Sequence, residues 1–331
     1  MNLVKPKLAI ISFEHVHAVH YLECLRRMPA IEVAGVVEQN SEKLSAHTDV
    51  LEGISLPDYQ SILHREAVDG VILCSANAKH KSMAIDFARA GIPMLCEKPI
   101  ATKTADAREM LAVCQAHDVP LGICFPVRFS EPLRQVKRLI QQEALGKVLA
   151  VKATNRGMMP GDWFADPRLS GGGAVMDHTV HVVDALRWLF DAEFTQVFAH
   201  AATRLHLIPV EDVGLLTLEM SNEVIVTLDT SWSRPNRSFP TWGDVTLELV
   251  GTEGVLSLDL LPWTLNHYSE TAGKHVVEAR DGGLNERLLE NFVEVIQGKA
   301  EFAANGVDGL RALEVVEAAY QSIATQKVVA L

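Results

Sequence analysis

Clustered positive charge, long apolar runs and paired cysteines are all missing from this 331-residue chain. Its net charge is −12, from 42 acidic and 30 basic residues, and no Lys/Arg cluster interrupts that balance. A phosphate backbone is repelled on average, so nucleic acid is not an expected partner. No stretch approaches the roughly 18 apolar residues of a membrane span, so no membrane association is expected. Lys5 and Lys7 precede the apolar run LAIISF, but Glu14, His15 and His17 follow at once. The run is too short for a signal peptide, and a cytoplasmic location is expected. The five cysteines, Cys24, Cys74, Cys96, Cys114 and Cys124, are odd in number and have no CxxC spacing. They read as buried free thiols in a reducing compartment. There is no internal repeat and no low-complexity linker.

What remains is the profile of a globular protein. Hydrophobic residues make up 48% and charged residues 22%, and the length suits two domains better than one. The first third alternates strand and helix. KLAIISF, IEVAGVV, VDGVILC, IPMLCEK and VPLGICF read as strands. Helices are expected over 15–28, 79–90 and 104–117, the second stopped by Gly91. Repeated strand–helix–strand units imply right-handed crossovers and a doubly wound parallel sheet of the Rossmann type. After Phe125 the pattern changes. A helix is expected over 130–142, then the strand GKVLAVKAT, a glycine-rich loop and a strong helix over 174–190. VGLLTLEM, EVIVTLDTSW, DVTLELVG and GVLSLDL follow as strands with short turns, and helices near 285–297 and 307–326 close the chain. This grammar predicts an α/β dinucleotide-binding domain over 1–125 and an α+β domain with a largely antiparallel sheet over 126–331.

The loop after the first strand lacks its glycines. G-x-G-x-x-G supplies a tight turn, close backbone approach to a diphosphate and tight helix packing. Here the loop reads Ser12, Phe13, Glu14, His15, Val16, His17, with Ser12, Glu14 and His17 at the glycine positions. Glu14 places negative charge where a diphosphate approaches, while the helix N-terminus still favours an anion and His15 and His17 offer donors. Glu38 ends the second strand, 21 residues after His17. A carboxylate there accepts ribose hydroxyls and repels a 2′-phosphate, which favours NAD over NADP. It reads equally as a solvated strand-end charge.

Three further stretches carry a resemblance. VDGVILCSANAKH, AGIPMLCEKP and FPVRFSEP, within 68–132, closely resemble the glucose–fructose oxidoreductase/inositol dehydrogenase (Gfo/Idh/MocA) family, and GGGAVMDHTVHVVDALRWL, at 171–189, resembles its second signature. LVGTEGVLSLD is also similar to the family's substrate domain. The resemblance spans nearly the whole chain. It implies that Ser75, Ala76 and Asn77 line the cofactor with His80 close by, and that Glu97 and Lys98 sit beside the nicotinamide. It implies that Arg128 approaches cofactor or substrate, and that Asp177 and His181 face Lys98. It also implies a homodimer or homotetramer.

The residue types suit hydride transfer from a secondary alcohol of a sugar or cyclitol. His181 suits a base near neutral pH, and Lys98 suits a fixed charge for a developing alkoxide. Asp177 lies four residues before His181 on the same helix face. It can orient the imidazole, pair with Lys98 or relay the proton. Asp177, His181 and Asp184 form a polar stripe on an otherwise apolar helix, and a buried polar stripe needs partners or a cavity. A satisfied core histidine is the competing reading. His178 lies off the stripe, as a substrate contact or a core residue. Arg156, Asp162, Trp163, Trp232 and Arg234 are candidates for the substrate pocket. Asp177, His178 and His181, with His15 and His17, are ligand-type side chains, but no spacing motif gathers them and no metal is expected. Two other outcomes share the fold: an NAD-retaining lyase or glycosidase type with transient oxidation, and a non-catalytic sugar or nucleotide sensor.

Overall fold

Strand β1 (Lys7–Ile11) is buried over four of its five residues, as the central strand of a sheet covered on both faces must be. The computed structural model describes residues 5–38, 55–56, 58–63, 68–261, 263–269, 274–280 and 283–331. After β1 come α1 (His17–Arg27), β2 (Glu32–Val37), β3 (Ser55–Leu56), β4 (Gly70–Leu73), α2 (His80–Arg89), β5 (Met94–Cys96), α3 (Thr104–Ala116) and β6 (Leu121–Ile123). The sheet order is β3-β2-β1-β4-β5-β6, with every pair parallel. The direction of winding reverses between β1 and β4, so the loops after these strands form the point where such sheets take ligands.

The chain then builds a second sheet. Helix α4 (Glu131–Gln141) and strand β7 (Val148–Gly157) precede α5 (Ala174–Phe190), and β8 (Phe194–Ala202), β9 (Val213–Met220), β10 (Ile225–Asp229), β11 (Gly243–Gly251) and β12 (Val255–Leu261) follow. With β15 (Val329–Ala330) they order as β12-β11-β7-β10-β9-β8-β15. Only the β7–β10 pair is parallel. A separate antiparallel pair joins β13 (Trp263–Ser269) to β14 (Lys274–Arg280). Helix α5 packs on β7 and β9. It is buried around almost its whole circumference, which is why its sequence is apolar on nearly every side.

Helices α6 (Leu284–Ile296) and α7 (Gly306–Thr325) complete the fold. The chain divides into two compact units: 1–125 with 168–171 and 285–313, and 126–167 with 172–284 and 314–331. The return of 285–313 to the first unit has a steric signature. A Cβ on Gly70 would stand 2.6 Å from Ile296 and one on Gly122 2.4 Å from Phe302. Only glycine allows that closeness.

Helix ends agree with the sequence expectations to within two residues. The expectation missed β8, whose FTQVFAHAA is rich in residues with little strand preference, and it did not read β13 or β14. Among the described residues no helix is long and apolar enough to cross a membrane. All five cysteines are free and buried. Burial pushes the Cys74, Cys96 and Cys124 thiols well up and the Cys114 thiol up to about 11, leaving them protonated and inert.

Candidate active site

At the tip of β1 the chain turns left-handed without a glycine. Ser12 has φ +75°, the conformation that a first glycine otherwise supplies. Local hydrogen bonds hold it there. Ser12 N donates to Val37 O at 2.6 Å, Ser12 Oγ donates to Glu38 Oε2 at 3.2 Å, and Phe13 N donates to the same oxygen at 2.5 Å. Glu38 is therefore a buried partner of the loop rather than a solvated charge. Glu14 turns toward the loop after β4. Its carboxylate accepts from Ala76 N at 2.9 Å and pairs with Lys79 Nζ at 2.5 Å, so its charge is neutralised across the reversal point of the sheet. Val16 stays exposed.

His15 and His17 face Glu97 at the end of β5. Glu97 is fully buried. Its Oε1 accepts from Tyr21 Oη at 2.7 Å and lies 2.9 Å from His17 Nδ1 and 3.6 Å from His15 Nδ1, while its Oε2 accepts from Lys98 N at 3.2 Å. Burial alone would raise the Glu97 carboxyl; the charges of His15 and His17, the His17 hydrogen bond and Lys98 hold it well below the usual carboxylate range. Lys98 is buried and its bond to Pro99 is cis. His80 lies between Pro99 O at 3.0 Å and Ser75 O at 3.1 Å. Burial lowers its pKa, so the neutral ring donates to one of these carbonyls and ties the loops after β4 and β5. Ser75 and Ala76 are buried beside it. Asn77 Nδ2 donates to Ser170 O at 2.8 Å, and its Oδ1 is buried without a partner among the described residues.

In the second unit, α5 carries the polar stripe. Its N-terminus is closed by Glu211. Gly173 N and Val175 N donate to Glu211 Oε1 at 2.9 and 3.1 Å, and Ala174 N donates to Glu211 O. This satisfies orphan donors of the first turn and places a carboxylate at the positive end of the helix. A Cβ on Gly173 would lie 2.0 Å from Glu211 O, which explains a glycine run at this entry. Tyr320 Oη donates to the same carboxylate at 2.7 Å. One turn in, Asp177 Oδ2 accepts from Trp232 Nε1 at 3.1 Å and lies 3.2 Å from His178 Nε2. His178 Nδ1 lies 3.0 Å from Thr230 O, so both its nitrogens are engaged. His181 is buried one turn further on. Asp184 grips Arg128 bidentately, with Nε at 2.8 Å and Nη2 at 2.6 Å.

The remaining substrate candidates are spread through this unit. Arg156 donates to Asp244 Oδ1 at 3.1 Å and Arg234 donates to Asp244 Oδ2, so one buried carboxylate braces both arginines. Arg234 also lies over Phe239 at 4.5 Å. Trp163 is buried and stacked on Phe164 at 3.9 Å, and Trp232 is buried against the stripe. Sequence reasoning missed Tyr21, Glu211 and Tyr320. Each partners a residue far along the chain, and no local pattern marks such a pair.

A doubly wound parallel sheet with an acid at the tip of β2 and a Glu-Lys-Pro turn after β5, joined in one chain to a mainly antiparallel α+β unit, defines a two-domain dehydrogenase architecture. A family model described as an oxidoreductase family with an NAD-binding Rossmann fold matches residues 8–125, and the GFO/IDH/MocA C-terminal domain matches residues 133–257. The chain belongs to the Gfo/Idh/MocA family of oxidoreductases. The uncharacterized oxidoreductase YrbE of Bacillus subtilis (strain 168) is 26% identical over 317 residues, covering 92% of this chain and 90% of the relative. The inositol 2-dehydrogenase of Rhizobium meliloti (strain 1021) is 27% identical over 275 residues, covering 80% and 81%. The crystal structure of GenD2 from gentamicin A biosynthesis in complex with NAD shares the fold, with a TM-score of 0.88 at 21% identity, covering 100% of this chain and 98% of that one.

The Arg128–Asp184 pair is buried on both sides, at 6% and 0% exposure. Replacing Asp184 with Ala leaves the Arg128 charge without its carboxylate, at an expected cost of about 3–5 kcal/mol. The urea midpoint should fall with the slope unchanged. An unchanged midpoint would show that the pair does not support the second unit.

Proposed function

We propose that this chain is an NAD-dependent oxidoreductase acting on a secondary alcohol of a sugar, cyclitol or related compound, with Lys98, Asp177 and His181 serving the reaction. The observation that carries the reading is the buried ionisable stripe Asp177–His181–Asp184 on α5, in a family with relatives named as inositol dehydrogenases. An apolar helix retains such groups against their cost of burial when they have a task or a partner.

The residues of the first unit suit the dinucleotide. Asn77 Oδ1 is a buried acceptor in want of a donor, and a ligand amide or hydroxyl meets that want. Ser12 makes the left-handed turn in place of a glycine. Glu38, already ordered by Phe13 N and Ser12 Oγ, would accept ribose hydroxyls and repel a 2′-phosphate, which selects NAD over NADP. Ser75, Ala76 and the loop Ser12–His17 would supply the remaining contacts, with Lys79 offsetting the charge of Glu14. The nicotinamide, when bound, supplies the hydride acceptor or donor.

His181 takes the hydroxyl proton in the oxidising direction, and the Lys98 ammonium stabilises charge developing on that oxygen. Asp177 is fixed by Trp232 and His178. Its negative charge, one helical turn from His181, favours the imidazolium that forms. Glu14 favours a second reading, a sugar or nucleotide sensor on the same fold, because its carboxylate occupies Ala76 N at the reversal point of the sheet.

Leu215 and Ile225 are exposed on the second sheet, and their pairing register puts them on one face. A one-sided sheet with apolar residues on its open face is covered by a second copy in a homodimer or homotetramer. Light scattering should report two or four chains per particle; a monomer at micromolar concentration would remove this assembly.

Calorimetric titration of cofactor-free protein should show NAD(H) binding well above NADP(H), with loss of that preference in Glu38→Ala. No dinucleotide binding by the folded protein would favour the sensor. Lys98→Ala and His181→Ala should each lower kcat by about 10²–10⁴-fold while thermal unfolding stays cooperative. Unaltered turnover in Lys98→Ala would overturn the reaction scheme.

A further inference from the structure

His15, His17 and Glu97 bring three ligand atoms of zinc-binding type within 4.8 Å of one another, all inside the first unit. Glu97 Oε1 lies 3.6 Å from His15 Nδ1 and 2.9 Å from His17 Nδ1. Metal–ligand bonds of about 2.0–2.2 Å at tetrahedral angles separate neighbouring donors by about 3.3–3.6 Å. The His15–Glu97 edge already has that length, and the His17–Glu97 edge needs to open by about half an ångström on the same scale.

The hydrogen bonding points to a cation. His17 N lies 3.2 Å from His15 Nδ1 and donates to it whenever that nitrogen is unprotonated, the form in which it can also bind a metal. It also faces the Glu97 carboxylate at 3.6 Å, and only a shared cation, a proton or a metal ion, draws these two atoms together. Turning His15 Nδ1 onto that ion gives up one backbone hydrogen bond and gains a coordinate bond.

The surroundings resemble a built site. His15 and Glu97 are 1% and 0% exposed, while the His17 side chain is 32% exposed, so two ligands are fixed and the third lies on an open side. Tyr21 Oη and Lys98 N hold the Glu97 oxygens at 2.7 and 3.2 Å, the orienting contacts that metal carboxylates need. Two imidazoles and one carboxylate favour zinc-type ions over magnesium or calcium. Three protein ligands leave a coordination position for water or a ligand oxygen.

We propose that His15, His17 and Glu97 bind one divalent transition cation of the zinc type at the entrance to α1. This site goes beyond the oxidoreductase reading, and titrating metal in the absence of dinucleotide and substrate tests it separately from that reading. Chelator-treated protein is titrated with Co(II) and followed by its visible ligand-field absorption, then challenged with Zn(II). The expected result is one Co(II) per chain, displaced by Zn(II). His17→Ala, at the exposed ligand, should weaken affinity by at least about 100-fold, and Tyr21→Phe by about 10–100-fold. His20→Ala, on the exposed side of the same helix, should leave affinity unchanged. Absence of stoichiometric Co(II) binding by the unaltered protein, or equal binding by folded His17→Ala, would overturn the proposal.

Discussion

A carboxylate with no exposure to solvent governs the ligand-facing end of the first unit. Glu97 sits at the end of β5, and an ionised group there is stable only if donors or positive charges surround it. Tyr21 and His17 come from α1, His15 comes from the loop before it, and Lys98 N comes from the chain itself. That one group therefore fastens the start of α1 to β5. In a glycine-rich loop the backbone packs closely by having no side chains. Here side chains fill the space and are held by charge. Ser12 takes the left-handed turn, Glu38 receives the loop's donors, and Lys79 receives the carboxylate of Glu14.

The second unit follows the same logic with other carboxylates. Glu211 closes the N-terminus of α5, Asp184 holds Arg128, and Asp244 braces Arg156 and Arg234. Each acid accepts several donors, which is the condition under which buried charge is tolerated. Asp177 fits the set through Trp232 and His178. His181 stands between two anchored acids on a helix buried nearly all round. The role of proton acceptor proposed for it needs a fixed geometry of this kind.

Much of this was legible in the residue order. Strand and helix alternation up to Phe125, the change of grammar beyond it, and the limits of α5 all follow from periodicity, because apolar spacing and glycine stops act over a few residues. The Glu-Lys-Pro turn and the polar stripe of α5 were visible as local patterns too. Strand β8 was not, since its alanines, glutamine and histidine have little strand preference and pair only because β9 and β15 lie alongside. Glu211 and Tyr320 were invisible, because their importance lies in a partner distant along the chain.

By itself the sequence determined the class of fold, the absence of the usual glycines and the residue types available for chemistry. These are properties of composition and short-range spacing. Tertiary structure alone decided what those residues touch. It turned Glu14 onto Lys79, gave Arg128 to Asp184, stacked Trp163 on Phe164 and brought Glu97 to His15 and His17 across some 80 positions of chain. A hydrogen bond or coordinate bond depends on distance and direction in space, and no pattern along the chain encodes either until the strands have paired.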